Sequence, residues 1–148
     1  MDLRILAPEF YTHCAVIPSD SAEAFHLQQH LLNLLRLHHF DEADLYAVRL
    51  ALEEVFVNAI KHGNKCDPHK QIHIHYRVDP DGFYIHVRDE GSGFSPDNIP
   101  DPRRCEHLEE PNGRGLLLIK HYMNEVYYLE NGSVVVMCKR KQPSEKVG

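Results

Sequence analysis

The sequence contains no apolar run near the roughly 20 residues that a helix needs to cross a bilayer, so a membrane-spanning helix is not expected. Its start, Met1-Asp2-Leu3-Arg4-Ile5-Leu6-Ala7-Pro8, has no basic stretch followed by a long apolar one. That is not the pattern of a signal peptide, and a cytoplasmic location is expected. The four cysteines, Cys14, Cys66, Cys105 and Cys138, stand far apart without a CxxC pair. This argues against a zinc knuckle or a dense disulfide framework and favours reduced, mostly structural thiols. A basic excess is missing too: 16 Lys plus Arg against 22 Asp plus Glu give a net charge of -6, the wrong sign for attraction to a phosphate backbone. Direct nucleic-acid binding is not expected. There is no internal repeat, low-complexity block or linker.

What remains is an ordinary globular composition, 148 residues with 43% apolar and 26% charged, enough for one domain with its own core. Twelve histidines make net charge, and with it solubility, depend on pH just below neutrality. Residues 10–17 are aromatic and β-branched up to Pro18 and predict a first strand. Ser19, Asp20 and Ser21 offer caps for a helix over about residues 20–39. Asp41 and Asp44 start a second helix, on which Leu45, Val48, Leu52, Val55, Phe56, Ala59 and Ile60 recur at three- and four-residue steps. Gly63 is expected to end it in the left-handed conformation.

Residues 71–78 and 83–89 alternate apolar and polar around Asp79-Pro80-Asp81-Gly82 and predict an antiparallel hairpin. A long irregular loop with four prolines follows over 91–112, then a third helix from about 113 to 124. A last hairpin turns at Asn131-Gly132. The fold class is α+β, a two-layer sandwich with helices on one face of a mixed, mostly antiparallel sheet.

Three elements carry chemistry. Glu54 and Asn58 lie four apart on the second helix, on one stripe with Ala51 and His62. A carboxylate and a carboxamide so arranged can serve one site, although each also fits a solvated helix surface. Asp89-Glu90-Gly91-Ser92-Gly93-Phe94 puts an acid at a strand end before two glycines. That acid can accept a hydrogen bond from an exocyclic amine, and the glycines allow close backbone approach; a plain turn has the same pattern. Gly113-Arg114-Gly115-Leu116 opens a helix, where backbone N-H groups bind phosphate readily and Arg114 can add a charged contact. Ordinary helix initiation also accounts for it. A separate reading places a metal ion among His73, His75 and His86, of which the first two share a strand face opposite Ile72, Ile74 and Tyr76. Solvated histidines on an exposed face, or at a dimer surface, are the simpler account. Cys14 and Cys138 fall in strands and suit core or pairing positions.

In this order and spacing, the three elements resemble the GHKL (Bergerat-fold) ATPases, in the form typical of the anti-sigma-factor serine/threonine kinases of bacterial partner switching. Glu53-Glu54-Val55-Phe56-Val57-Asn58-Ala59-Ile60-Lys61-His62-Gly63-Asn64 is similar to the N box, Asp89 to Phe94 to the first glycine box, and Gly113 to Ile119 to the second. The resemblance covers about residues 10–140 of a single domain spanning 1–148. It implies Asn58 as Mg2+ ligand, Glu54 as catalytic base and Asp89 as adenine contact. It implies further that His62, Gly91, Gly93, Gly113, Arg114, Gly115 and Leu116 line the nucleotide, with residues 95–112 as an ATP lid. The implied function is ATP-dependent phosphorylation of a small anti-anti-sigma (STAS-type) partner, with binding of a sigma factor and a homodimeric state. The length leaves no room for a phosphoacceptor helix or a transducer domain beside it. A nucleotide-responsive regulator that holds its partner without phosphorylating it is the alternative, suggested by an acidic, proline-rich lid.

Overall fold

The computed structural model describes residues 2–91 and 119–141. Two short 3-10 turns, Leu3–Leu6 and Pro8–Phe10, precede β1 (His13–Pro18), α1 (Ser21–Leu37) and α2 (Glu42–Val57). A π-helical segment, Asn58–Gly63, prolongs α2, and then come β2 (Gln71–Asp79), β3 (Gly82–Asp89), helical residues 119–122, β4 (Glu125–Leu129) and β5 (Val134–Arg140). The strands form one sheet in the order β1-β2-β3-β5-β4. Every pairing among the described residues is antiparallel, so the α+β expectation is borne out with a plainer sheet than the mixed one foreseen.

Local chemistry sets the element ends. The Asp20 carboxylate accepts hydrogen bonds from the N-H groups of Ala22 and Glu23 at the start of α1, and Asp41 Oδ1 accepts one from Asp44 N at 2.8 Å at the start of α2. These satisfy donors that a helix start leaves open. In the β2–β3 turn, Asp79 Oδ1 accepts from both Asp81 N and Gly82 N. The main core lies between the helices and one sheet face: Leu31, Leu35, Val48, Leu52 and Val55 meet Ile72, Ile74, Phe83, Ile85 and Met137, all closed to solvent. Burying each such side chain stabilises by about 1.5–3 kcal/mol. Under the first turn of α2, Lys139 Nζ lies 3.8 Å from the buried Asp44 carboxylate and donates to Tyr122 O, which ties that turn to β5.

The other sheet face is not bare. Ile5 packs there with Tyr84, Val134, Val136 and Cys138, flanked by Phe10 and Tyr11. This explains why β1 starts at His13 and not at residue 10. Pro8 opens a 3-10 turn, and Phe10 and Tyr11 cover the sheet instead of joining it. Phe10 stands edge-on to Tyr84 at 5.0 Å, under the Arg77 guanidinium, and Tyr11 edge-on to His86 at 5.8 Å. His86 is therefore buried rather than solvated, its Nδ1 without a hydrogen bond. Burial first, then the neighbouring His75, pushes its pKa below the ordinary 6.5.

The metal reading finds no support: among the described residues no group of three or more His, Cys, Asp or Glu can hold an ion. Cys14 is exposed on the edge strand, contrary to a core position, whereas Cys138 is buried and burial pushes its thiol up to about 11. Cys66 is disulfide-bonded, a departure from the reduced thiols expected; Cys14 and Cys138 are free. No helix of the described residues is long and apolar enough to cross a membrane.

Candidate functional site

At Asn58 the helix changes its hydrogen-bond register. Asn58 N still bonds back to Glu54 O and Val55 O, but Asn64 N reaches Ala59 O, five residues back, at 2.8 Å. Such π segments are rare and often found at functional sites. Glu54 and Asn58 thus sit on successive turns of one continuous helix. Both are half-buried, and His62 is exposed.

Gly63 ends this helical run, but not in the left-handed conformation. Lys65 (φ 52°) and Cys66 (φ 56°) make the reversal instead. Glycine is needed at 63 for space: a Cβ there would lie 2.0 Å from Asp89 Oδ2 and 2.2 Å from its Cγ. The fit is reciprocal, since a Cβ on Gly91 would lie 2.2 Å from Gly63 O. The end of the N-box helix and the start of the glycine turn are therefore in direct contact across Asp89.

Asp89 closes β3 with only 7% of its surface exposed. Its Oδ1 accepts the Gly91 N-H at 2.8 Å, while Oδ2 stands over the Gly63 Cα and accepts no hydrogen bond among the described residues. Burial raises its pKa above 3.8, against the opposing pull of the Gly91 amide and of the Lys70 and Arg88 charges. A carboxylate so held has one oxygen fixed by its own loop and one that no described donor engages.

Sequence reasoning assigned no role to Asn64, which lies within the N-box run and is completely buried. Its Nδ2 donates to Ser19 Oγ at 2.8 Å and to Gln71 O at 2.9 Å, and its Oδ1 accepts the Glu90 N-H at 2.7 Å. The only signal was a carboxamide directly after the helix-ending glycine, a type favoured in turns. Glu90 itself reaches out of the site to His73 Nε2 at 2.7 Å, and that hydrogen bond is the main cause of its lowered pKa. Gly93, Gly113, Arg114, Gly115, Leu116 and the stretch 95–112 lie outside the described residues.

The residues present fit a purine nucleotide: a buried carboxylate with one oxygen that no described donor engages, seated against two glycines whose missing side chains make room for it. They also fit Mg2+ in the way that ion prefers. A single half-buried carboxamide oxygen suits a cation that takes most of its ligands from water and phosphate.

The family model described as "Histidine kinase-like ATPase domain" matches residues 17–139. The chain belongs to that family. The antiparallel sheet with its helices is consistent with that fold, and the resemblance to the family is borne out. Relatives include an "Anti-sigma F factor" of Oceanobacillus iheyensis, 29% identical over 111 residues, which are 70% of this chain and 75% of that protein. The "Serine-protein kinase RsbW" of the same organism is 25% identical over 114 residues, 73% and 72% of the two chains. The "Serine/threonine-protein kinase BtrW" of Bordetella bronchiseptica is 25% identical over 85 residues, 56% and 60% of the two chains.

Proposed function

We propose that this chain is an ATP-binding anti-sigma factor and serine/threonine protein kinase. It uses Mg-ATP to phosphorylate a small anti-anti-sigma (STAS-type) protein, binds a sigma factor, and works as a homodimer in the bacterial cytoplasm. It acts as one histidine kinase-like ATPase domain over residues 1–148, with its core in about 10–140. The observation that carries this reading is the contact of Gly63, Asp89 and Gly91 at the end of the helix that bears Glu54 and Asn58. The names of the relatives support the activity and the class of partner.

In this reading Asp89 accepts a hydrogen bond from the adenine amino group, and the bare backbone of Gly63 and Gly91 lets the 89–91 turn seat closely against the helix end. Asn58 offers its carbonyl oxygen to Mg2+, which when bound neutralises phosphate charge. Glu54, one turn earlier, takes the proton from the attacking serine or threonine hydroxyl. His62, Gly93, Gly113, Arg114, Gly115 and Leu116 complete the nucleotide's surroundings, and residues 95–112 exclude water.

The test is incubation with Mg-ATP, labelled on the γ-phosphate, and a candidate anti-anti-sigma protein. Wild type should yield phosphoprotein, Glu54→Ala should slow the transfer by about 10²–10⁴-fold while still binding ATP, and Asn58→Ala should weaken Mg-ATP binding. Binding without phosphoprotein would instead identify a nucleotide-responsive regulator. Undiminished transfer by Glu54→Ala would overturn the role of that carboxylate.

A further inference from the structure

The contact between Gly63 and Asp89 depends on how far apart two chain segments are held, and one side chain spans them. Asn64 follows Gly63; Glu90 follows Asp89; and Asn64 Oδ1 takes the Glu90 N-H at 2.7 Å. The same carboxamide is anchored on its other side to Gln71 O, at the entry of β2, and to Ser19 Oγ, just past β1. Ser19 is held in turn, its hydroxyl donating to Lys70 O at 2.8 Å. Both Nδ2 protons and the Oδ1 acceptor are thereby used, and the partners fix which atom is which: a backbone N-H can meet only the oxygen, and a carbonyl only the nitrogen. Neither aspartate nor leucine can reproduce this set, because the first lacks the donors and the second has neither donors nor an acceptor.

The Asn64 side chain makes no hydrogen bond to Gly63, Asp89 or Gly91 themselves. What it controls is the height of the 89–91 turn above Gly63, where clearances are already those of direct contact. We propose that Asn64 is a positioning residue that aims the Asp89 carboxylate, so that selectivity for a 6-amino purine over a 6-oxo purine depends on it. This rests on the nucleotide reading of the site and extends it from Asp89 to the residue that orients Asp89. A slackened turn lets the carboxylate rotate toward solvent and lose its aim, so the adenine nucleotide loses affinity while the inosine nucleotide, whose 6-oxo group cannot donate to that acceptor, loses less.

The experiment measures calorimetric affinities for ATP and inosine triphosphate, with Mg2+, on the full chain and on Asn64→Ala, Asn64→Asp and the milder Ser19→Ala. Amide hydrogen exchange at Glu90 and Gly91 is read without ligand. Tyr11→Phe, on the far sheet face, serves as a remote control of altered stability. Wild type should prefer ATP by at least about tenfold; Asn64→Ala and Asn64→Asp should lose most of that preference and expose both amides, Ser19→Ala should lose part of it, and Tyr11→Phe none. If the Asn64 variants do not fold, a partial loss in Ser19→Ala supports the proposal and an unchanged preference there overturns it. A preference kept in Asn64→Ala although the Glu90 amide has become exchangeable makes Asn64 merely structural and overturns it. Absence of binding by wild type to either nucleotide refutes the nucleotide reading itself, and this inference with it.

Discussion

Buried polar groups in two regions of this protein are treated in opposite ways. At the end of β3, Asn64 has every donor and acceptor of its side chain engaged, and Asp89 is held by the Gly91 amide. On the outer face of the sheet His86 is also buried, yet its Nδ1 has no hydrogen bond, and the ring is enclosed by Tyr11 and His75. The first arrangement fixes geometry. The second is an apolar seal, made by the N-terminal turns, that happens to contain a titratable ring. The Asn64 side chain should therefore be costly to remove, and that of His86 should be expendable.

The largest effect is expected from Gly63→Ala, which forces a methyl group to within 2.0 Å of the Asp89 carboxylate. Overpacking there should cost about 3 kcal/mol, seen as a lower urea midpoint, and abolish nucleotide binding. Next comes the direct contrast. Asn64→Leu leaves the Glu90 amide and Gln71 carbonyl without partners and should cost about 2–3 kcal/mol, whereas His86→Leu should be neutral or stabilise by about 1 kcal/mol. Equal losses in the two variants would erase the distinction drawn between the regions. The smallest effect is that of Tyr11→Phe, which removes the hydroxyl's bond to Ile5 O and should cost about 1 kcal/mol without changing nucleotide affinity.

The two regions should also part company with pH. The His86 pKa is depressed below 6.5, by burial foremost and by His75 and Arg88, with Glu130 pulling weakly the other way. Its contribution to stability is thus complete above 6.5 and is lost as pH falls from there through the folded-state value. Melting temperatures should drop over that range in wild type and drop less in His86→Leu. Asp89 has the opposite sign: its pKa is raised above 3.8, so its contribution is complete below 3.8 and is lost as pH rises through the folded value. Keeping it ionised at neutral pH costs stability. Asp89→Asn should then leave the ligand-free protein no less stable at pH 7, and in wild type ATP affinity should fall as pH is lowered through that raised value.

How far the sequence revealed this depends on the kind of information. The two helices, the hairpins and the caps at Asp20 and Asp41 followed from periodicity and local hydrogen bonding, which a short window contains. Helical spacing also put Glu54 and Asn58 together. The π register at Asn58–Gly63 did not show, because α and π turns place apolar residues almost alike over so short a span. The reason for glycine at 63 was hidden for another cause: a helix end explains glycine locally, whereas the contact that demands it comes from Asp89, 26 residues away. Asn64 had a plain local role as a turn former, and its three partners are brought together only by the sheet. Burial of His86 was likewise tertiary, since the alternation of β3 suits a solvated outer face and only the turns at residues 3–10 cover it.

The most direct measurement is calorimetric titration of Mg-ATP into the wild-type chain and into Asp89→Asn, with thermal unfolding of both recorded alongside. Wild type should bind, and the variant should be folded, at least as stable at pH 7, and weaker for ATP by about 100-fold, the loss for an unpaired amine at a buried site. Equal affinity in the two proteins would contradict the assignment of a purine site to the junction of Gly63, Asp89 and Gly91.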